Sequence, residues 1–215
     1  MREPTKADVI DFKAYMNEKF SDNTKALYIT AIRKFFKYLD DTGIYINITT
    51  GLRYPKKYKG HRKQPLNDTD VEKLIAAIDT TDLKGKRDFA IINLMLLTGL
   101  RSVEVRRIQI KDIEFRNNQT VVYIQGKGYT DKFIYIPLID EAYFPIEDYL
   151  NAFSETYDIE KDNFLFVSHS NNNRNQQLSA NGLSKIITGY YQKANIKDKR
   201  ITAHSLRHTA AMKIH

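Results

Sequence analysis

Cysteine is absent from this chain of 215 residues. That excludes disulfides, thiolate zinc sites and cysteine nucleophiles, and it fits a reducing compartment, so a cytoplasmic protein is expected. No stretch approaches the roughly 20 apolar residues of a membrane span, and the opening MREPTKADVI has no apolar core of signal-peptide length. Acidic residues are also in short supply: Asp plus Glu number 26 against 34 Lys plus Arg, a net charge of +8. A basic balance of this size points to a polyanionic partner, nucleic acid first and an anionic membrane surface second. What the chain does have is 42% hydrophobic residues, with 14 tyrosines and 11 phenylalanines, enough for a packed core and too much for global disorder.

The excess charge is concentrated. Residues 1–63 carry 14 basic and 7 acidic side chains, whereas residues 64–215 carry 20 and 19. Most of the imbalance falls in Arg53-Tyr54-Pro55-Lys56-Lys57-Tyr58-Lys59-Gly60-His61-Arg62-Lys63, which has six cations and no acid. Proline and glycine argue against a helix there and the charge argues against burial, so the stretch reads as an extended linker. It could be a solvated spacer. The alternative favoured here is a strap along a phosphate backbone, in which Arg53, Lys56, Lys57, Lys59, Arg62 and Lys63 displace condensed counterions. The expected organisation is a helical domain over residues 1–52, a basic linker over 53–65 and a second domain over 66–215.

Local patterns fill in the domains. Thr5 with Asp8 looks like a capping pair before Val9, Phe12, Met16 and Phe20 at helical spacing. Ser21 or Asp22 opens a longer helix with Tyr28, Ile32, Phe35, Phe36 and Leu39 on one stripe, closed by Gly43. These aromatics are expected to form the core of a small helical module. Asn67 or Asp68 starts another helix carrying Val71, Leu74, Ile75 and Ile78, and the nearly continuous apolar run Phe89–Leu97 predicts a central helix buried all round. The period then changes to two. Ile113 and Phe115, a turn at Asn117-Asn118, Thr120–Ile124, a turn at Gly126-Lys127-Gly128 and a return through Phe133 and Tyr135 predict a meander. Helices over 139–153 and 183–194, a short strand over 164–167 and a last helix near His204 complete a mainly α fold with a small antiparallel sheet.

Four basic residues stand out by context. Arg101 follows the buried helix in Thr98-Gly99-Leu100-Arg101, and Glu104 three residues on could brace its guanidinium, although a surface Arg–Glu pair would look the same. Lys127 lies between two glycines at a hairpin tip, as a solubilising lysine or as a proton donor on a flexible turn. His204 and Arg207 are spaced to share one helix face, with Leu206 and Ala210 left for the core. One His with one Arg is no zinc site. It suits a phosphate, for which arginine offers a planar fork of donors.

Taken in order, Thr98-Gly99-Leu100-Arg101-x-x-Glu104, Gly126-Lys127-Gly128 between strands, and His204-x-Leu206-Arg207-His208-Thr209 resemble the catalytic signature of the tyrosine recombinase, or phage integrase, family. Tyr54-Pro55-Lys56-Lys57 followed by Gln64-Pro65-Leu66-Asn67 resembles the junction between that family's core-binding and catalytic domains. The resemblance implies a helical core-binding domain joined to a mixed α/β catalytic domain. It implies that Arg101 and Arg207 bind the scissile phosphate and that Lys127 protonates the departing 5′ oxygen. His204 would be the histidine of the His-x-x-Arg pair, Glu104 a supporting acid and His208 a structural neighbour. It further implies site-specific recombination of double-stranded DNA through a 3′-phosphotyrosyl intermediate, without a cofactor, by a homotetramer.

The sequence departs from the pattern at one point. Eight residues follow Arg207, and none is tyrosine or tryptophan. Tyr190 and Tyr191 precede the motif on an expected core helix and are poor substitutes for a nucleophile. The chain is therefore expected to be a truncated recombinase that binds DNA as a monomer without cleaving it. Two other readings remain at this stage: a non-enzymatic DNA-binding protein derived from a recombinase, and a type IB topoisomerase-like enzyme sharing the same chemistry.

Overall fold

A computed structural model describes residues 2–52, 64–126, 128–129, 131–171, 173–196, 198 and 200–213. The chain divides into two compact units, Met1–His61 and Arg62–His215. The cations nominated as the strap, from Arg53 to Lys63, lie outside the described residues.

The first unit is built on α1 (Lys6–Lys19) and α2 (Asp22–Asp41). The Asp8 carboxylate accepts hydrogen bonds from the Thr5 backbone amide and hydroxyl, closing the start of α1. Ser21 caps α2 by accepting from the Thr24 amide. Gly43, at φ 69°, turns the chain back after α2, and Tyr45 Oη donates to Pro4 O at 2.8 Å, fastening the following segment near the N-terminus.

The core of this unit differs from the expected one. Val9, Met16, Ala26, Ile29, Phe36 and Ile48 are buried, while Phe12, Phe20, Tyr28 and Phe35 are exposed, Phe35 by 58%. A helix buries only one face, and on α2 the buried residues are Ala26, Ile29 and Phe36. Most of the aromatic stripe stays exposed, and its rings pack between the two helices and their connection, Phe20 against Tyr28 at 5.5 Å and Phe12 against Tyr28 at 6.4 Å.

The second unit begins with α3 (Asp68–Ala76), capped by the Asn67 side chain, and α4 (Leu83–Thr98), capped by Asp82. α5 (Ser102–Arg107) and a 3-10 turn (Ile110–Asp112) lead into three strands, β1 (Ile113–Arg116), β2 (Gln119–Ile124) and β3 (Ile134–Leu138). They form an antiparallel meander in the order 1-2-3. Asn117 and Asn118 both have positive φ, at 50° and 60°, as a tight two-residue hairpin between Arg116 and Gln119 requires. Phe133, expected in the returning strand, precedes β3 and is exposed.

α6 (Asp140–Ser154), α7 (Ala180–Lys193) and α8 (Ala203–Lys213) complete the unit. α4 is its axis, packing on both α6 and α8. Ile91, Ile92, Leu94, Ile146, Tyr149, Leu183 and Leu206 are fully buried around it, each worth about 1.5–3 kcal/mol in transfer from water. The run expected to be buried all round does reach the surface at Leu97. The segment expected as a strand near 164–167 makes only isolated bridges, Gln109 with Phe164 and Val167 with Gln177.

One ionic group lies inside this core. Arg87 donates through Nε and Nη2 to Asp88 Oδ1 and through Nη1 to Val167 O, and Tyr190 Oη donates to Asp88 Oδ2. Burial pushes the Asp88 carboxyl above the usual carboxylate range, against the pull of Arg87.

Candidate functional site

The site is assembled where α4 ends. Thr98 Oγ1 donates back to Leu94 O, and Gly99 follows in the left-handed region at φ 66°. A Cβ on Gly99 would lie 3.3 Å from the Ala210 Cβ, so the glycine serves both the turn and the close approach of α8. Leu100 then plugs into the core, and Arg101 becomes the residue that caps α5.

Glu104 holds this corner together. Its Oε2 accepts from the Arg101 backbone amide at 2.7 Å, and its Oε1 accepts from Arg101 Nη1 at 2.6 Å. The Glu104 side chain is 5% exposed and that of Arg101 46%, so a buried acid orients a cation that reaches solvent. From α8, Arg207 Nη1 donates to Gly99 O at 2.6 Å and lies 4.0 Å from Glu104 Oε2. Arg101 and Arg207, 106 positions apart in sequence, thus flank one carboxylate. Both line a cavity of about 370 Å³ with Thr98, Gly99, Glu104, Ile124 and Ile136. One carboxylate cannot neutralise two guanidinium groups, so the cavity keeps a net positive charge suited to an anion.

Of the other nominated residues, the two histidines lie on α8. His204 is exposed one turn before Arg207, and its ring meets that of His208 edge-on with centroids 4.7 Å apart. The opposite face of α8 is sunk in the core through Ser205, Leu206, Thr209 and Ala210. Thr209 Oγ1 also accepts from the Leu66 amide at 2.8 Å, mooring the start of the unit to α8. Lys127 lies outside the described residues.

Sequence reasoning missed Lys132. Its ammonium donates to Arg107 O at 2.9 Å, to Gln109 Oε1 at 3.4 Å and to the buried Asp112 carboxylate. The visible signal was a second lysine in the loop after Gly126-Lys127-Gly128, but nothing local marks its partner at Asp112, 20 positions earlier.

Tyr190 and Tyr191 are built into the core. Tyr190 is pushed up to about 12 by burial and by Asp88, and burial also raises Tyr191, whose hydroxyl donates to Thr202 O. Neither oxygen is placed or activated for attack on a phosphate.

Comparison with known proteins gives a consistent picture. The phage integrase family matches residues 64–215. Tyrosine recombinase XerD of Listeria monocytogenes serovar 1/2a is 32% identical over 210 residues, covering 96% of this chain and 67% of the relative. Tyrosine recombinase XerC of Bacillus subtilis is 30% identical over 209 residues, covering 94% of this chain and 66% of the relative. Among solved structures, the XerH site-specific recombinase bound to palindromic difH substrate superposes with a TM-score of 0.78 at 23% identity, over 99% of this chain and 62% of that one. The Tn1549 transposon integrase in complex with circular intermediate DNA gives 0.76 at 21% identity, over 99% of this chain and 73% of that one. The chain thus spans about two thirds of the length of these curated relatives.

Proposed function

This chain belongs to the phage integrase family, the tyrosine recombinases, and from that premise we propose that it is the DNA-binding and phosphate-activating part of a site-specific DNA recombinase. The observation that carries the reading is the convergence of Arg101 and Arg207 on Glu104 at a positively charged cavity. Two forked, permanently charged donors suit the two non-bridging oxygens of one DNA phosphodiester.

In the proposed reaction a tyrosine oxygen attacks phosphorus while the bond to the 5′ oxygen breaks. The tyrosine proton passes to solvent, and Lys127 supplies one to the departing 5′ oxygen. Arg101 and Arg207 offset the charge that builds on the phosphate, with His204 as a further donor and His208 as its structural neighbour. The 3′-phosphotyrosyl bond stores the energy of the broken one, so rejoining needs no nucleotide cofactor. Arg53, Lys56, Lys57, Lys59, Arg62 and Lys63 grip the duplex backbone.

The burial of Tyr190 and Tyr191 supports a further step: neither supplies the attacking oxygen, and residues 1–215 bind DNA without a covalent bond to it. The test is incubation with nicked duplexes carrying candidate recombination sites, followed by denaturing electrophoresis. Salt-sensitive binding with no denaturation-resistant band is expected from this chain. A covalent band lost on mutating a tyrosine within it would overturn the assignment.

A further inference from the structure

The loop between β2 and β3 carries two lysines, of which Lys132 is among the described residues. An ammonium has a limited set of N–H donors, and those of Lys132 are directed at Arg107 O, Gln109 Oε1 and the Asp112 carboxylate. The Lys132 side chain is 20% exposed and that of Asp112 7%. Asp112 is itself fixed, since its carboxylate also accepts from the Gln109 amide at 2.6 Å. A cation engaged in this way is not a mobile proton donor. We propose that Lys132 is a positioning residue: it anchors the returning leg of the hairpin to the C-terminal end of α5 and so sets the reach of Lys127. This rests on the function proposed above, in which Lys127 meets the DNA phosphate.

The placement of the anchor gives the proposal its force. Arg107 is the last residue of α5 and Arg101 is the residue that caps its start, so the anchor and the phosphate-binding arginine sit at opposite ends of one short helix. At about 1.5 Å per residue, six residues set the two ends roughly 9 Å apart. A hairpin tied there is registered to Arg101 through a rigid element rather than through its own loop. The outgoing leg is fixed as well. Gln125 Nε2 donates to Tyr129 O at 2.8 Å and the Tyr129 amide to Gly126 O at 3.3 Å. A Cβ on Gly126 would meet both Ile134 and Tyr129 at 3.2 Å, so the two legs close tightly there.

Because the chain has no cysteine, the proposal can be tested by paired spin labels on Lys127→Cys and Asn151→Cys, the second on α6. Distances are read in the DNA-bound 215-residue chain, using a generic duplex. Replacing Lys132 with Met, or Asp112 with Asn, is expected to broaden the 127–151 distance distribution at least twofold. A control pair on α6 and α7, Asn151→Cys with Ser184→Cys, is expected to keep its width, which separates local release from unfolding. In parallel, Lys127→Ala is expected to lower the slope of log affinity against log salt by about one unit with Lys132 present, and to have no further effect in Lys132→Met. An unchanged 127–151 distribution in both anchor variants would overturn the proposal. If Lys127→Ala leaves DNA binding unaltered in the otherwise native chain, the role given to Lys127 fails instead, and the distances still decide whether Lys132 is the anchor.

Discussion

At the scale of single residues, Glu104 is the side chain on which the site depends. It is buried, accepts two hydrogen bonds from Arg101 and faces Arg207. Glu104→Gln preserves the shape but removes the charge between two guanidinium groups. The arginines are partly solvated, so the loss should fall below that of a fully buried pair, at about 1–2 kcal/mol in denaturant unfolding. DNA affinity should drop severalfold in the same variant, because the arginines lose their common support. Full stability together with full affinity would show that Glu104 is incidental.

His169 offers a second residue-scale expectation, this one for pH. Burial and the nearby Arg87 and Arg174 charges lower it from its ordinary value near 6.5 to about 4, and the ring meets Tyr149 Oη at 3.3 Å. Between these values the unfolded chain binds a proton that the folded chain refuses. Stability is therefore fully present above about 6.5 and lost as pH falls toward 4. Partial exposure of the ring reduces the effect to on the order of 1 kcal/mol. Unfolding midpoints measured across this interval should fall with pH in the native chain and fall less in His169→Gln. Equal slopes would remove His169 as the cause.

At the scale of elements, Gly99 joins three helices. It ends α4, permits the corner that starts α5, and leaves room for Ala210 on α8. Gly99→Ala puts a side chain into the left-handed region and against Ala210, so a loss of about 1–3 kcal/mol is expected, with weaker phosphate binding as α8 is displaced. A melting curve and a DNA titration on the same sample read both effects. Much of this layer was legible in the sequence: the Asn117-Asn118 turn, the caps at Ser21 and Asn67 and the glycine at the end of α4 all carry short-range signals. What was not legible depends on partners distant in the chain. The aromatic stripe of α2 obeys helical spacing, but spacing cannot say which face the fold will cover, and Ala26 and Ile29 are buried while Tyr28 and Phe35 stay exposed. Likewise, the order of motifs brought Arg101 and Arg207 into view, while the Lys132–Asp112 bond and the Arg87–Asp88 core pair have no motif to announce them.

At the scale of the whole molecule, the charge is unevenly divided along the sequence. Residues 64–215, which hold the converging arginines, are close to neutral, with 20 basic and 19 acidic side chains. The first 63 residues carry the excess, and six cations between Arg53 and Lys63 account for most of it. If these cations lie on phosphates, each contact releases condensed counterions, and affinity must fall steeply with salt whatever the DNA sequence. Changing Lys56, Lys57 and Lys59 together to Ala should weaken binding on every duplex tested and flatten the plot of log affinity against log salt by about two to three units. Arg207→Ala should behave differently. If Arg207 meets a phosphate as proposed, the change removes one contact, about one unit of slope, at the cavity shared with Arg101. Filter-binding or anisotropy titrations at several salt concentrations distinguish the two. A lysine-triple variant with its slope intact would show that the linker cations only keep the chain soluble, and that DNA is held by the two folded units alone.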